Sequence, residues 1–347
     1  MKILVTGNTG YIGPVLIKYL KTKYSEYTYY GYDTGFFLRD FINKYDNQDR
    51  LYDTQHWGDL RSFDEKKLDG IDAIIHLAAI SNDPMGNKFE EVTIDINYEC
   101  SIKLAKYAKK HGVKNFVFAS SCSVYGSSGS STKSENDKLD PLTAYAKSKI
   151  NVENDLAELA SDEFIITSLR FATACGWSPR LRLDLVLNDF VASAIVSKNI
   201  KILSDGSPWR PLIDVNDMSR AIDWAMSRKS SNGGNYLCLN VGSMSWNYKI
   251  LDLANAVANE IKDVEVEINQ DAAPDKRSYR VDFSLFEKLA PNHQPVMRLE
   301  DTVKEIYQNL IRNEFNITNF RSSNFMRLNV LNNLIDNNYL DNNLNWK

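Results

Sequence analysis

The chain is sparing with residues that staple a fold or bind metal. It has four cysteines, Cys100, Cys122, Cys175 and Cys238, and four histidines, His56, His76, His111 and His293, all widely scattered. No Cys-x-x-Cys pair and no ligand-spaced cluster occurs, so neither a structural metal nor a disulfide framework is expected. A reducing compartment, the cytoplasm, is the expected location. Long apolar runs are also missing: none approaches the roughly 18 residues of a membrane span. The N-terminus opens on the strand-like Lys2-Ile3-Leu4-Val5 with no basic leader. Positive charge is not in excess, with 41 Lys and Arg against 45 Asp and Glu and a net charge of −4. That balance argues against nucleic acid or an anionic membrane as the main partner, although a few arginines in a cleft suffice for a small anion. No internal repeat is present.

What the chain does have is length and rhythm. Its 347 residues, 43% hydrophobic and 25% charged, are enough for a large core and two lobes. Strands are predicted near 3–5, 27–32, 71–79, 115–120 and 164–170, and helices over 14–24, 95–110 and 145–160. This alternation predicts an α/β fold, a doubly wound parallel sheet with helices on both faces. Residues 34–57 read as a connection with one short helix, 81–88 as a polar loop and 126–140 as a loop or lid. Beyond Thr173 the spacing predicts helices at 185–198, 248–261 and 300–312 and strands at 200–203, 211–215, 235–241 and 264–268. Another helix runs to Arg228, capped by Asn216 or Asp217. The Asn-rich tail keeps apolar spacing at Phe325, Leu328, Leu331, Leu334 and Ile335, which predicts a packed helical hairpin. The expected division is a nucleotide-binding domain of 1–172 plus 211–242, a smaller interleaved lobe of 173–210 plus 243–315, and an extension of 316–347.

Six stretches carry chemistry. Thr6-Gly7-Asn8-Thr9-Gly10-Tyr11-Ile12-Gly13 follows the first strand and opens a helix. Glycines there permit a tight turn and close approach of a pyrophosphate, which the helix N-terminus favours. Asp33, twenty residues after Gly13, suits the two adenosine ribose hydroxyls and would repel a 2′-phosphate, favouring NAD over NADP. Asp59, with Leu60 beside it, could meet an adenine amino group or cap a helix. Leu77-Ala78-Ala79 ends a strand with small residues, as close passage under a dinucleotide or plain core packing would require. Ser120-Ser121-Cys122-Ser123-Val124-Tyr125-Gly126 places hydroxyls at a strand's carboxyl end, facing the ligand crevice; Cys122 reads equally as a buried small residue. Finally, Tyr145 and Lys149 are four apart on a predicted helix and so share a face. An ammonium beside a phenol favours the phenolate and lowers its pKa toward the range of a general base. Alone, the pair is also what chance would give.

Taken together these stretches, with Leu169-Arg170-Phe171 and Arg210-Pro211-Leu212-Ile213, resemble the extended short-chain dehydrogenase/reductase superfamily, specifically its NAD-dependent epimerase/dehydratase family acting on nucleotide sugars. The resemblance covers residues 1 to about 315. It implies NAD as cofactor, held by Gly7, Gly10, Tyr11, Ile12, Gly13, Asp33, Asp59, Leu60, Leu77, Ala78, Ala79, Asn97, Ser120, Tyr145, Lys149 and Phe171. It implies Tyr145 as acid/base, Lys149 lowering its pKa and binding the nicotinamide ribose, and Ser121 holding the reacting sugar oxygen. Asn97 would support the lysine through water. A nucleotide-diphosphate sugar would meet Ser81, Ser121, Ser123, Thr173, Asn188, Arg210, Arg277 and Arg280. Thr173 stands where many relatives have Asn. Cys122 and Ser123 replace the Asp-Glu of 4,6-dehydratases, which disfavours that reaction. The expected activity is epimerisation, with net dehydrogenation or 4-ketoreduction as the alternative and a non-catalytic scaffold third. Relatives commonly dimerise through the helices at about 95–111 and 145–160, so a homodimer is expected.

Overall fold

The computed structural model describes residues 1–38, 48–127, 131–269 and 278–347. Strand β1 (Lys2–Thr6) runs into the glycine turn, and α1 (Gly13–Lys23) leaves it with Pro14 in its first turn, where a missing N–H breaks no helical bond. Next come β2 (Thr28–Asp33) and β3 (Thr54–Trp57). Strand β3 lies in the stretch that the sequence presents as a connection. It pairs on one side only, at the edge of the sheet, so it lacks the apolar run of a strand covered on both faces.

Strand β4 (Ala73–His76) is wholly buried. The expected polar loop after it is instead α2 (Asp83–Lys88), followed by α3 (Glu90–Ile94). Asn82 starts α2 by accepting the Met85 N–H at 2.9 Å, and Pro84 sits in its first turn. Both are good start signals, but six residues containing Gly86 show no helical apolar spacing. One π turn, Asp95–Glu99, leads into α4 (Cys100–Lys110). Strands β5 (Asn115–Ser121) and β6 (Thr132–Lys133) precede α5 (Ala144–Leu159). The latter is capped by Thr143 Oγ1, which accepts the Ala146 N–H at 3.2 Å. Strand β7 (Ile165–Phe171) is buried along its whole length.

The second half adds β8 (Thr173–Cys175), α6 (Val186–Ser197), β9 (Asn199–Ile202) and β10 (Trp209–Asp214). Helix α7 (Val215–Met226) is capped by Asp214, which accepts the Asn216 N–H at 2.8 Å, rather than by Asn216 or Asp217. Asp217 instead accepts the N–H groups of Val296 and Met297. Then follow β11 (Tyr236–Val241), β12 (Asn247–Lys249), α8 (Ile250–Glu260), β13 (Glu265–Ile268), β14 (Arg280–Val281), α9 (Ser284–Leu289), α10 (Leu299–Arg312) and α11 (Arg327–Asp336).

Seven parallel strands form the central sheet in the order β11-β7-β5-β4-β1-β2-β3. Alternate residues of β1 feed opposite faces. Ile3 and Val5 pack with Leu16 and Leu20 of α1 and Ile222 of α7; Leu4 packs with Leu104 of α4 and Leu156 of α5. Burying each such side chain is worth about 1.5–3 kcal/mol. The strand order reverses between β1 and β4, and a ligand crevice opens at the carboxyl ends of strands at such a point. Strand β10 pairs with β8 and β12 in a separate three-stranded sheet, while α6, α8 and α10 share a further core.

The tail folds back on the large sheet's side. Val330, Leu331, Leu334, Leu340 and Leu344 pack with Phe36, Met85, Phe89 and Ile96. It is one helix and a short bridge, Leu340 to Trp346, rather than a helical hairpin. Asn338, at φ 62°, adopts the left-handed conformation that Asn tolerates and ends the helix.

Candidate active site

At the carboxyl ends of the central strands lies a cleft of ≈ 870 Å³. Its floor is the turn between β1 and α1. Gly7 has φ +70°, and a Cβ there would lie 2.5 Å from the Ala78 nitrogen, so the turn sits hard against the end of β4. A Cβ on Gly13 would lie 1.9 Å from the Asn8 carbonyl oxygen, which is how closely helix meets strand. Gly7, Gly10, Tyr11 and Ile12 line the cleft, as do Leu77, Ala78 and Ala79; Gly13 packs behind it. The Tyr11 hydroxyl donates to the Gly176 carbonyl at 2.6 Å. Asp33 accepts the N–H groups of Thr9 at 3.0 Å and Gly35 at 2.8 Å. Burial pushes its pKa up, while those bonds and Arg180 pull it down. A glycine cradle on a helix N-terminus with an acid at the next strand's tip is the donor set a dinucleotide needs. Asp59 and Leu60 form the far wall. Asp59 caps the turn through the Arg61 N–H at 2.8 Å and binds the Arg61 guanidinium with both oxygens, at 3.0 and 2.7 Å.

The other end is built by α5 and β5. Tyr145, Lys149, Ser121, Ser120, Ser123 and Phe171 all line it. The Ser121 hydroxyl stands near enough to the Tyr145 phenol to pull its pKa down, and the Ser121 oxygen accepts the Ser123 N–H at 3.1 Å. The Lys149 ammonium donates to the Ala119 carbonyl at 2.7 Å and stands 5.5 Å from the Tyr145 ring centre. The electrostatics differ from the sequence expectation. Burial pushes Tyr145 up to about 12, opposed by Ser121 and by the Arg182 guanidinium. Burial pushes Lys149 down to about 7, against the pull of Glu153. Arg182 is a cation that pulls the phenol's pKa down, and the Lys149 ammonium is bonded to a backbone carbonyl.

Two amides expected at the ligand do not reach the cleft. Asn97 is buried and spans the Ile80 backbone, accepting its N–H at 2.8 Å and donating to its carbonyl at 3.0 Å, with Ser148 as a third partner. It holds the strand-end loop directly rather than the lysine. Asn188, also buried, accepts the Gly176 N–H and donates to the carbonyls of Gly176 and Arg182, so its amide is used up inside the fold. Cys122 is a core residue whose thiol donates to the Arg170 carbonyl.

Toward the smaller lobe, Arg210, Thr173 and Ser81 line the cleft. Arg210 donates to the Trp209 carbonyl at 3.0 Å and lies over the Tyr279 ring. Arg280 does not line the cleft; it stacks on Trp209 with 4.8 Å from guanidinium to ring centre. Arg277 lies outside the described residues. Sequence reasoning missed Arg182, which pairs with Asp184 at 2.9 and 3.0 Å and donates to Ser81 at 3.1 Å. It also missed Asn82, which donates to Asp184 at 2.6 Å. The signal was the charged pair Arg182-x-Asp184 in a stretch with no regular element. From the tail, Arg321, Met326 and Arg327 complete the wall. Among the described residues no His, Cys, Asp or Glu cluster could hold a metal, and no helix is long and apolar enough to cross a membrane.

A parallel sheet with this strand order, carrying a glycine cradle at one end of its crevice and a Tyr–Ser–Lys set at the other, defines a dinucleotide-dependent enzyme class. The sequence profile of the NAD dependent epimerase/dehydratase family matches residues 3–242, and the chain belongs to that family. An uncharacterized UDP-glucose epimerase, YtcB, of Bacillus subtilis is 32% identical over 235 residues, 64% of this chain and 71% of that protein. UDP-glucuronic acid 4-epimerase from Bacillus cereus, solved with UDP-glucuronic acid and NAD, superposes with a TM-score of 0.77 at 24% identity, covering 90% of this chain and 99% of that one. UDP-N-acetylglucosamine 4-epimerase from Methanobrevibacter ruminantium gives a TM-score of 0.76 at 21% identity, covering 90% and 98%. At these identities the likeness to solved structures is one of fold.

Proposed function

We propose that the protein is an NAD-dependent 4-epimerase of a UDP-sugar. The observation that carries this is the meeting of Tyr145, Ser121 and Lys149 at one end of the same cleft whose other end is the Gly7–Gly13 cradle with Asp33. Names among the relatives support the choice of UDP-sugar and of C4.

Gly7, Gly10, Ile12 and Ala78 would hold the dinucleotide, with Asp33 placed for the adenosine ribose and Asp59 and Leu60 for the adenine. When bound, NAD supplies a hydride acceptor that later returns the hydride, so no net redox change follows. The protein's part is proton transfer and positioning. Ser121 holds the oxygen of the reacting hydroxyl, and Tyr145 exchanges its proton, a step worth about 10²–10⁴-fold. Ser121 and Arg182 favour the phenolate against the cost of burial. Lys149 fixes the end of β5 and binds the nicotinamide ribose. Arg210 and Thr173 face the diphosphate, and Ser81, held by Arg182, faces the sugar. A homodimer joined through α4 and α5 belongs to the same reading.

The test is to incubate the purified enzyme with UDP-sugars and separate the products. Appearance of the C4 epimer with no net nicotinamide reduction is expected. Stoichiometric reduction of added NAD would instead establish a dehydrogenase.

A further inference from the structure

Three consecutive residues at the end of β5 each face one residue of α5. The Ala119 carbonyl accepts from Lys149 at 2.7 Å, the Ser120 hydroxyl donates to Glu153, and the Ser121 hydroxyl faces the Tyr145 phenol, whose pKa it pulls down. On the helix side these partners are spaced i, i+4 and i+8, so they form one stripe along a single face. Tyr145 and Lys149 belong to the proposed reaction; Glu153, two turns from the phenol, has no place in it so far.

Glu153 is 3% exposed, and its carboxylate is fully engaged. Besides Ser120 it accepts Arg170 Nε at 3.0 Å and Arg170 Nη2 at 2.7 Å. Arg170 on β7 also donates to the Tyr125 hydroxyl at 3.0 Å, which donates to Asn240 at 2.7 Å. Replacing a buried ion pair by apolar residues of similar volume is often neutral or stabilising, so this pair needs another reason to be there. Its geometry supplies one. With its oxygens shared between Arg170 and Ser120, the carboxylate ties α5 to two adjacent central strands where the three-residue ladder forms.

We propose that Glu153 is a positioning residue for the reaction: anchored by Arg170, it fixes Ser120 and thereby the flanking Ala119 and Ser121 that hold Lys149 and Tyr145. The charge matters as well as the bonds. The groups facing Lys149 are Tyr145 and Glu153 on α5, His76 on β4, whose protonation Lys149 disfavours, and Arg170 on β7 beyond Glu153. Tyr236 and Cys238 on β11 adjoin Glu153. Of these, Glu153 is what opposes the fall in the lysine's pKa caused by burial.

The inference rests on the catalytic reading above, and two measurements keep the two apart. In Glu153→Gln, which preserves shape, the Lys149 titration followed by ¹³C-lysine NMR is expected to move to lower pH by at least about half a unit. The alkaline limb of the kcat profile should move with it, and kcat should fall about tenfold while KM changes less than about twofold. Ser120→Ala, which removes the link but not the charge, should lower kcat and leave the Lys149 midpoint in place. An unmoved lysine midpoint with near-wild-type kcat in Glu153→Gln overturns the inference; so does unchanged kcat in Ser120→Ala should Glu153→Gln fail to fold. If no UDP-sugar is epimerised by the wild type but the lysine midpoint still moves, the functional reading fails and the link from Glu153 to Lys149 stands.

Discussion

The floor and the roof of the cleft are made of different things. The floor is backbone: Gly7 pressed on Ala78, Gly13 on Asn8, and Asp33 bound to two amide N–H groups. The roof is the chain from 316 onward, which lines the cleft through Arg321, Met326 and Arg327 and is held by side chains that reach for carbonyls. Trp346 Nε1 donates to Thr34 O at 2.9 Å. Arg61 donates to the carbonyls of Asn343 at 2.7 Å and Leu344 at 3.1 Å while binding Asp59. Arg327 lies 4.4 Å over the Phe37 ring and donates to the Arg180 carbonyl. A floor of this kind tolerates no added atom. A roof held by separate side-chain bonds, most of them exposed or half-buried, gives way one contact at a time.

The largest loss should come where floor and chemistry meet. Tyr145→Phe is expected to lower kcat by about 10²–10⁴-fold with an unchanged melting curve, as steady-state kinetics and calorimetry would show. Gly7→Ala comes next. Its left-handed φ costs roughly 1–2 kcal/mol for a side-chain-bearing residue, and the clash with Ala78 adds to it. NAD affinity measured by calorimetric titration should fall at least about tenfold, and Tm should drop.

Lys149→Met separates function from stability. Burial lowers the folded pKa of Lys149 from 10.5 to about 7, so between those values the unfolded chain binds more protons than the folded one. Stability from this group is present above pH 10.5 and is lost as pH falls toward 7. The variant, measured without added NAD, should therefore melt higher than wild type at pH 7, with the difference vanishing above pH 10.5. Its activity should be lost. Parallel Tm–pH curves would contradict the assignment.

The smallest effect belongs to the roof. Trp346→Ala removes one hydrogen bond worth about 1 kcal/mol and its packing on Phe36. NAD should dissociate about fivefold faster in stopped-flow release, with kcat unchanged. A roof variant that lowered kcat as far as a floor variant does would erase the distinction.

The same division explains what the sequence made legible. Cradle, Asp33 and the Tyr145 helix could be read because each is a local pattern: glycines at a strand–helix turn, an acid at a strand tip, two residues one turn apart. Strand β3 was hidden because an edge strand need not be apolar, and α2 because it is too short for periodicity. Arg182 was missed because no regular element carries it. Asn188 was misplaced because burial, not residue type, decides whether an amide faces a ligand or its own backbone. Contacts such as Trp346 to Thr34 join residues 312 apart, and no window of sequence contains both.

The stripe of Tyr145, Lys149 and Glu153 has a consequence for how such a chain can change over time. An α-helix advances about 100° per residue, so inserting or deleting one residue between 145 and 153 would swing at least one of the three away from β5. Replacing the residues between them would not. Helix register is thus inherited as strictly as residue identity, and drift along this helix can proceed by substitution but not by change of length.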